Sequence, residues 1–113
     1  MVAGPWAGTL LADLGADVVK VEQPRGGDRM RLLGHRVGSI GALWANVNRG
    51  KRGVVFDLQQ ADGVGLLRDL VARADVFIQN FRPGVAQRLG IDEAALRTVN
   101  PGLVYVSVSG FGD

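Results

Sequence analysis

The chain has 113 residues, of which 47% are hydrophobic and 21% charged, and its formal net charge is +2. This composition is typical of a globular domain and excludes a disordered chain. The basic residues form no stripe that would bind nucleic acid. There is no cysteine and only one histidine, His35, which excludes disulfides and clusters of Cys or His around a metal. No apolar run approaches the roughly 20 residues of a membrane span, so we expect a cytoplasmic protein without a membrane partner.

The chain is predicted to begin with a helix after Pro5, because proline is tolerated in a first helical turn. Its apolar stripe consists of Leu10, Leu11 and Leu14. Gly15 suits the end of this helix, and a strand is predicted over residues 17–22. A glycine-bearing loop that leads into a helix and a strand normally follows another strand. We therefore expect that the chain lacks the first strand of its fold.

The middle of the chain is predicted to contain a long loop, a basic turn, a strand and a helix. Residues 23–41 have no periodicity and read as a loop with one helical turn near residues 30–33. A short helix is predicted over residues 40–47. The basic turn Asn48–Arg52 follows it. A strand over residues 53–58 and a clear amphipathic helix over residues 61–74 come next.

The remaining chain predicts two further strands. The first, over residues 75–79, is followed by Asn80, Phe81 and Arg82, after which Pro83-Gly84 ends any pairing. Two short helices are predicted next, one over Val85–Leu89 and one that Asp92 caps. The last strand covers residues 103–108.

Strands that alternate with helices predict parallel crossovers. The predicted fold class is α/β, a partial Rossmann-like parallel sheet with helices on both faces. Its strands lie over residues 17–22, 53–58, 75–79 and 103–108. We expect residues 1–113 to form a single, incomplete domain of this kind.

Basic and amide side chains gather in the loops at the predicted carboxyl edge of the sheet, where open α/β sheets bind ligands. These residues are Arg25, Lys51, Arg52, Asn80, Arg82 and Arg88. Guanidinium groups bind phosphate oxygens in pairs, and Phe81 and Trp44 can stack on a base. The pattern predicts an anionic, nucleotide-like ligand, although ordinary turns with solvated arginines fit the spacing equally well.

The alternative function is that of an NAD-binding module. A glycine-bearing segment, Gly4-Pro5-Trp6-Ala7-Gly8, opens a helix, and Glu22 ends the next strand, where a ribose-binding acid is expected. The glycine spacing differs from G-x-G-x-x-G, however, and Pro5 removes an amide that would face the pyrophosphate. No residue pattern in the chain demands a catalytic step. Ser107 and Ser109, for example, lie in no G-x-S-x-G elbow.

Four motifs, in order, resemble the N-terminal part of the class III CoA-transferases, a family that includes formyl-CoA transferase, carnitine CoA-transferase and the 2-methylacyl-CoA racemases. The motifs are the run from Ala3 to Arg31, Asn48–Arg52 with its strand, Asp75–Gly84, and the segment from Asn100 to Gly112. The resemblance spans essentially the whole chain. It implies CoA thioesters and carboxylates as substrates, no metal, and an interlocked homodimer in the full-length protein.

The same resemblance implies which residues bind CoA. They are Val2, Ala3, Asn48, Lys51, Arg52, Asn80, Phe81 and Arg88. Val2 and Ala3 would lie near the thioester, and the turn Asn48–Arg52 would approach the adenine and phosphates. Arg88, on a helix, is expected to matter more than Arg25 or Arg31, which lie in a glycine-rich loop.

The resemblance places the catalytic groups beyond Asp113, so we expect this chain alone to be inactive. Transferases of the family form an acyl-aspartyl intermediate, and racemases use a histidine and an acid. The two reactions are not distinguished by these residues. Gln79 and Gln23 depart from the family pattern, which has glutamate and, in some members, arginine at these positions.

Overall fold

The computed structural model describes residues 2–112, and the chain separates into two compact units. The first ends at Val55 and the second begins at Phe56. The first contains α1 (Ala3–Asp13), β1 (Val18–Glu22), a 3-10 helix (Arg29–Leu32), β2 (Arg36–Val37), β3 (Ile40–Gly41), α2 (Ala42–Asn46) and β4 (Lys51–Val55). The second contains α3 (Ala61–Val71), β5 (Val76–Gln79), α4 (Val85–Leu89), α5 (Glu93–Arg97) and β6 (Val104–Ser107). No helix in residues 2–112 is long and apolar enough to cross a membrane.

In the first unit, β1 and β4 pair in parallel, with Val18 beside Lys51 and Val21 beside Val54. This confirms two parallel strands but moves the second to Lys51–Val55, two residues before its predicted start. The prediction assigned Lys51 to a basic turn. The structure places it in the ladder with β1, because the turn already closes at Gly50, whose φ of +74° is accessible to glycine.

Helix α1 buries its small residues and not the apolar stripe that the sequence shows. Its buried residues are Gly4, Gly8 and Thr9, whereas the stripe Leu10, Leu11 and Leu14 is exposed within the described chain, Leu14 by 84%. A Cβ added to Gly8 would lie 3.3 Å from Cε of Lys51. The helix therefore packs through its small residues, which let the side chain from β4 approach its backbone.

In the second unit, β5 and β6 pair in parallel, from Val76 beside Val104 to Gln79 beside Ser107. Asp92 caps α5 by accepting a hydrogen bond of 3.0 Å from the amide of Ala95, as predicted. The buried apolar side chains of this unit are Leu67, Val71, Ala86, Ile91, Leu96 and Leu103.

The parallel α/β class is confirmed, and the four longer strands of residues 2–112 form two separate pairs. β1 pairs with β4 and β5 pairs with β6, while β2 and β3 form a small antiparallel ladder. Each parallel pair lies within one unit. The residues proposed to bind CoA consequently divide into two groups, one for each unit.

Candidate functional site

In the second unit, the candidate residues follow the end of β5. Asn80 and Phe81 are the first residues after this strand, and the Phe81 side chain is 38% exposed. Gln79, the last residue of β5, is only 8% exposed, and its side-chain oxygen accepts a hydrogen bond of 2.7 Å from the Phe81 amide. The backbone that carries the Phe81 ring is therefore held in place by the buried side chain of Gln79.

A cleft of about 200 Å³ lies at this strand end. Its lining includes Gln79, Phe81, Arg82, Tyr105 and Ser107, together with the acidic side chains of Asp92 and Glu93. Its wall thus combines one arginine, two carboxylates and two aromatic rings. This mixture of charge and aromatic surface suits a polar ligand with a flat group.

Arg88 lies in α4, and its side chain is exposed. Its guanidinium has no hydrogen-bond or ion-pair partner within residues 2–112. It lies over Gly84, with Nη1 3.8 Å from the point that a Cβ would occupy. Gly84 has φ of +79° at the start of α4, a conformation that favours glycine. Arg88 therefore presents five unused donors to solvent.

In the first unit, Val2 and Ala3 lie at the N-terminal end of α1. Val2 is the N-cap residue, and its carbonyl oxygen accepts a hydrogen bond of 2.8 Å from the amide of Trp6. The side chains of both Val2 and Ala3 are exposed. They are therefore accessible to a ligand at the first turn of the helix.

Lys51 is held inside the first unit by three oxygen atoms. Its ammonium donates to the carbonyl oxygens of Pro5 at 2.6 Å and Val47 at 2.8 Å, and to Oδ1 of Asn48 at 3.0 Å. Asn48 is 7% exposed, and its Nδ2 donates to the carbonyl oxygen of Trp44. Because an ammonium has three N–H groups, these contacts use all of them.

The surroundings of Lys51 disfavour its charge. Burial, followed by repulsion from Lys20, lowers the pKa of Lys51 to about 8, and the opposite charge of Asp28 offsets part of this effect. The lysine is thus mostly charged at pH 7, as its three acceptors require. Its role in the described chain is to join α1 to the start of β4.

Arg52 is paired in an exposed position. Its Nε and Nη2 donate to the two carboxylate oxygens of Asp17 at 2.9 and 2.6 Å, and both side chains are largely solvent-accessible. An exposed pair of this kind contributes little stability, about 0–1 kcal/mol. A phosphate can therefore compete for Arg52 at small cost.

Arg31 differs from the mobile loop arginine that the sequence predicts. It donates from Nε and Nη2 to the two carboxylate oxygens of Glu22, each at 2.9 Å. Its guanidinium also lies 3.7 Å from the centroid of the Trp44 ring, a cation–π contact. Because Arg31 covers one face of the Trp44 ring, only the other face is left for the stacking on a base that the sequence predicts.

Two partly buried carboxylates, Glu22 and Asp28, complete this cluster. Burial would raise the pKa of Glu22, but hydrogen bonds from Arg31 and from the Asp28 amide outweigh it, so that the pKa is lowered. Burial likewise opposes ionisation of Asp28, while Lys20 at 2.9 Å and the amide of Met30 lower its pKa overall. Sequence reasoning missed this network, although Lys20 and Glu22 share one face of β1 through their spacing of two.

Comparison with known proteins decides the family. The model of CoA-transferase family III matches residues 1–113. The chain belongs to this family. It is 45% identical to the succinate–glutarate CoA-transferase of Agrobacterium fabrum over 99% of its own length and 30% of the relative's. It is 43% identical to the acetyl-CoA:oxalate CoA-transferase of Acetobacter aceti, over 96% of this chain and 28% of that one.

Solved structures show the same relationship. A CAIB/BAIF family protein from Brucella suis has a TM-score of 0.90 and 45% identity, over 98% of this chain and 30% of that chain. Rv3272 from Mycobacterium tuberculosis has a TM-score of 0.86 and 38% identity, over 98% and 31%. The CoA-transferase family III segment described here thus spans about 30% of the length of these relatives.

The NAD-binding alternative is not favoured by the family, and the structure gives a physical reason. Gly4 and Gly8 lie within α1 and are buried, so they do not form a phosphate-binding loop before it. Glu22, which would have to bind a ribose, is occupied by Arg31 and by the amide of Asp28. The relatives from Agrobacterium fabrum and Acetobacter aceti are CoA-transferases, and the racemase alternative is not favoured either.

Proposed function

We propose that this chain is the N-terminal, CoA-binding segment of an enzyme that transfers CoA from an acyl-CoA to a carboxylate. The observation that carries the proposal is the family match over residues 1–113, with 45% identity to a succinate–glutarate CoA-transferase. In the full-length enzyme, an aspartate beyond residue 113 would form the acyl-aspartyl intermediate. The chain itself would supply binding groups and would be inactive alone.

The second unit supplies an aromatic and a cationic group for CoA. In our proposal, Phe81 offers exposed ring area to the adenine, and the exposed Asn80 offers its amide for hydrogen bonds. Arg88 binds a phosphate, because its guanidinium is unpaired among the described residues and can form two parallel hydrogen bonds. No contact within the second unit has to break for Arg88 to do so.

The first unit would contribute Val2 and Ala3 near the thioester and the segment Asn48–Arg52 near the adenine and phosphates. Within that segment, Arg52 is the better phosphate ligand, since it has only an exposed ion pair to exchange. Lys51 would have to release three acceptors first. We therefore assign Lys51 an indirect role, in which it holds the first turn of α1.

The full protein is proposed to be cytoplasmic and an interlocked homodimer, and to use dicarboxylates. The last point rests on relatives named for succinate, glutarate and oxalate. The test incubates the full-length protein with succinyl-CoA and a panel of dicarboxylates and follows the CoA esters by liquid chromatography. We expect succinate and a new CoA ester to form in equal amounts.

Two outcomes would contradict the proposal. Deuterium uptake at the α-carbon of a 2-methylacyl-CoA without CoA exchange would identify a racemase. Turnover by purified residues 1–113 would show that the catalytic groups lie within this chain. Size-exclusion chromatography with light scattering on the full-length protein tests the dimer separately.

A further inference from the structure

Gln79 links the ends of two parallel strands to the backbone of Phe81. It is the last residue of β5 and lies beside Ser107, the last residue of β6. Its Nε2 donates to the Ser107 hydroxyl at 2.8 Å, and its Oε1 accepts from the Phe81 amide at 2.7 Å. The side-chain amide thus uses a donor on one side and an acceptor on the other, while it is 8% exposed.

We propose that Gln79 is a positioning residue for CoA, which sets the backbone of Asn80 and Phe81 from the end of the sheet with Ser107 as its anchor. This inference rests on the proposed function, in which Asn80 and Phe81 contact the cofactor. It adds a residue that acts through them and that does not itself have to touch CoA.

The need for such a link follows from where the strand ends. The carbonyl oxygen of Gln79 still takes part in the ladder, because it accepts a hydrogen bond of 2.9 Å from the amide of Val108. The chain then leaves the sheet, and the amide of Phe81 is bonded by the Gln79 side chain instead of a strand. A side chain that is itself buried and anchored restricts this backbone more than water would. Phe81 therefore loses less conformational freedom when CoA binds.

The chemistry of the link predicts which replacements are tolerated. Leucine has a similar size but neither donor nor acceptor, so it leaves the Phe81 amide and the Ser107 hydroxyl without their partner. Glutamate can accept from both, because a serine hydroxyl rotates and can become the donor. Gln79→Glu should therefore preserve the link and Gln79→Leu should destroy it.

The experiment uses the full-length protein and titrates CoA by calorimetry. We expect Gln79→Leu to weaken CoA binding about ten-fold, the equivalent of roughly 1.4 kcal/mol, and Gln79→Glu to stay within about two-fold of the parent. Gln59→Leu is the matched control, since Gln59 is exposed in the same unit and its side chain has no partner among residues 2–112. It should leave affinity unchanged.

Hydrogen exchange supplies a readout that does not depend on CoA. The peptide containing Phe81 should exchange faster in Gln79→Leu than in the parent, and Gln79→Glu should restore its protection. If Gln79→Leu does not fold, Ser107→Ala replaces it, because Ser107 is exposed and its loss removes only the anchor. That variant should show a smaller change in the same direction.

Phe81→Ala separates this inference from the proposed function. If Phe81→Ala weakens CoA binding and Gln79→Leu does not, the positioning role is overturned and the site stands. If neither Phe81→Ala nor Arg88→Ala affects CoA, the assignment of the site fails. Unchanged exchange of the Phe81 peptide in Gln79→Leu would overturn the link itself, whatever the binding data show.

Discussion

The ammonium of Lys51 and the carbonyl oxygen of Pro5 lie 2.6 Å apart, although 46 residues separate them in the chain. The contact joins the start of β4 to the first turn of α1. The same ammonium also bonds Val47 and Asn48, which precede the strand. The position of the α1 terminus, where Val2 and Ala3 lie, therefore depends on this side chain, together with the Thr9 hydroxyl, which donates to the carbonyl oxygens of Pro5 and Val47.

Lys51→Met should have a larger effect on the stability of the protein than on its binding of CoA. It removes three hydrogen bonds from a charged donor, while the Thr9 hydroxyl still donates to two of the acceptors, the carbonyl oxygens of Pro5 and Val47. We therefore expect the free energy of unfolding to fall by about 1.5–3 kcal/mol. Lys51→Arg should not restore it, because a planar guanidinium cannot point at three oxygens around one atom. Urea denaturation of the full-length protein measures both changes. Parent-like stability for Lys51→Met would contradict the role we give this contact.

The partly buried carboxylates of Glu22 and Asp28 predict a loss of stability in acid. The pKa values of Glu22 and Asp28 are lowered in the folded state from usual values near 4.5 and 3.8. Their contribution is therefore complete above these usual values and is lost as pH falls through the lower, folded ones. We expect thermal midpoints that drop below about pH 4. Glu22→Gln should be less stable at pH 7 and should show a flatter decline in acid, and an equally steep decline would contradict this.

Arginines with and without partners should respond differently to removal. Arg88→Ala should weaken CoA binding about ten-fold or more, because a hydrogen bond to a charged group contributes roughly 1.5–3 kcal/mol. Arg31→Ala should leave affinity nearly unchanged but lower stability, since it removes the bonds to Glu22 and the contact with Trp44. Calorimetric titration and thermal melts on both variants measure these effects.

Arg73→Ala is the control for Arg88→Ala, because Arg73 is also exposed in the second unit and unpaired among the described residues. It should change neither affinity nor stability. If Arg31→Ala loses more affinity than Arg88→Ala does, the phosphates lie on the loop that precedes α2, and our assignment to α4 is wrong.

Two glycines of α3 should respond in opposite directions to the same substitution. A Cβ on Gly63 would overlap the carbonyl oxygen of Asp57, whereas a Cβ on Gly65 would meet nothing within 4 Å. Gly63→Ala should therefore cost about 1–3 kcal/mol through overpacking. Gly65→Ala should add about 0.5–1 kcal/mol, because alanine is the better helix former. Equal effects in chemical denaturation would show that the helix does not pack this closely on Asp57.

The elements that depend on local chemistry could be predicted from the sequence. The cap at Asp92 and the end of pairing at Pro83-Gly84 need only neighbouring residues, and both fall where expected. The exposed leucines of α1 could not be predicted, because helical periodicity finds an apolar face without showing what covers it. Here the contact runs through Gly8, which has no side chain to reveal it.

The candidate site could also be predicted from the sequence only in part. Its residue types and its place at the end of β5 follow from sequence, since composition and strand ends are local properties. The sequence does not show which basic side chains are free to bind a ligand. Lys51 and Arg31, for example, bond to residues distant in sequence, Pro5 and Glu22. Gln79 escaped notice as a positioning residue because its two partners meet only when the strands pair.

The confinement of each parallel pair to its own unit has a consequence for synthesis. The contact Asp17–Arg52 spans 35 residues and Gln79–Ser107 spans 28, so the entropic costs of closing the two loops differ by only about 0.2 kcal/mol. The ladder of each pair joins residues of one unit only. A ribosome adding about 5–20 residues per second finishes residues 56–113 roughly 3–12 s after Val55. We therefore expect the β1–β4 pair to be the first that can form on the nascent chain, in an order that translation sets.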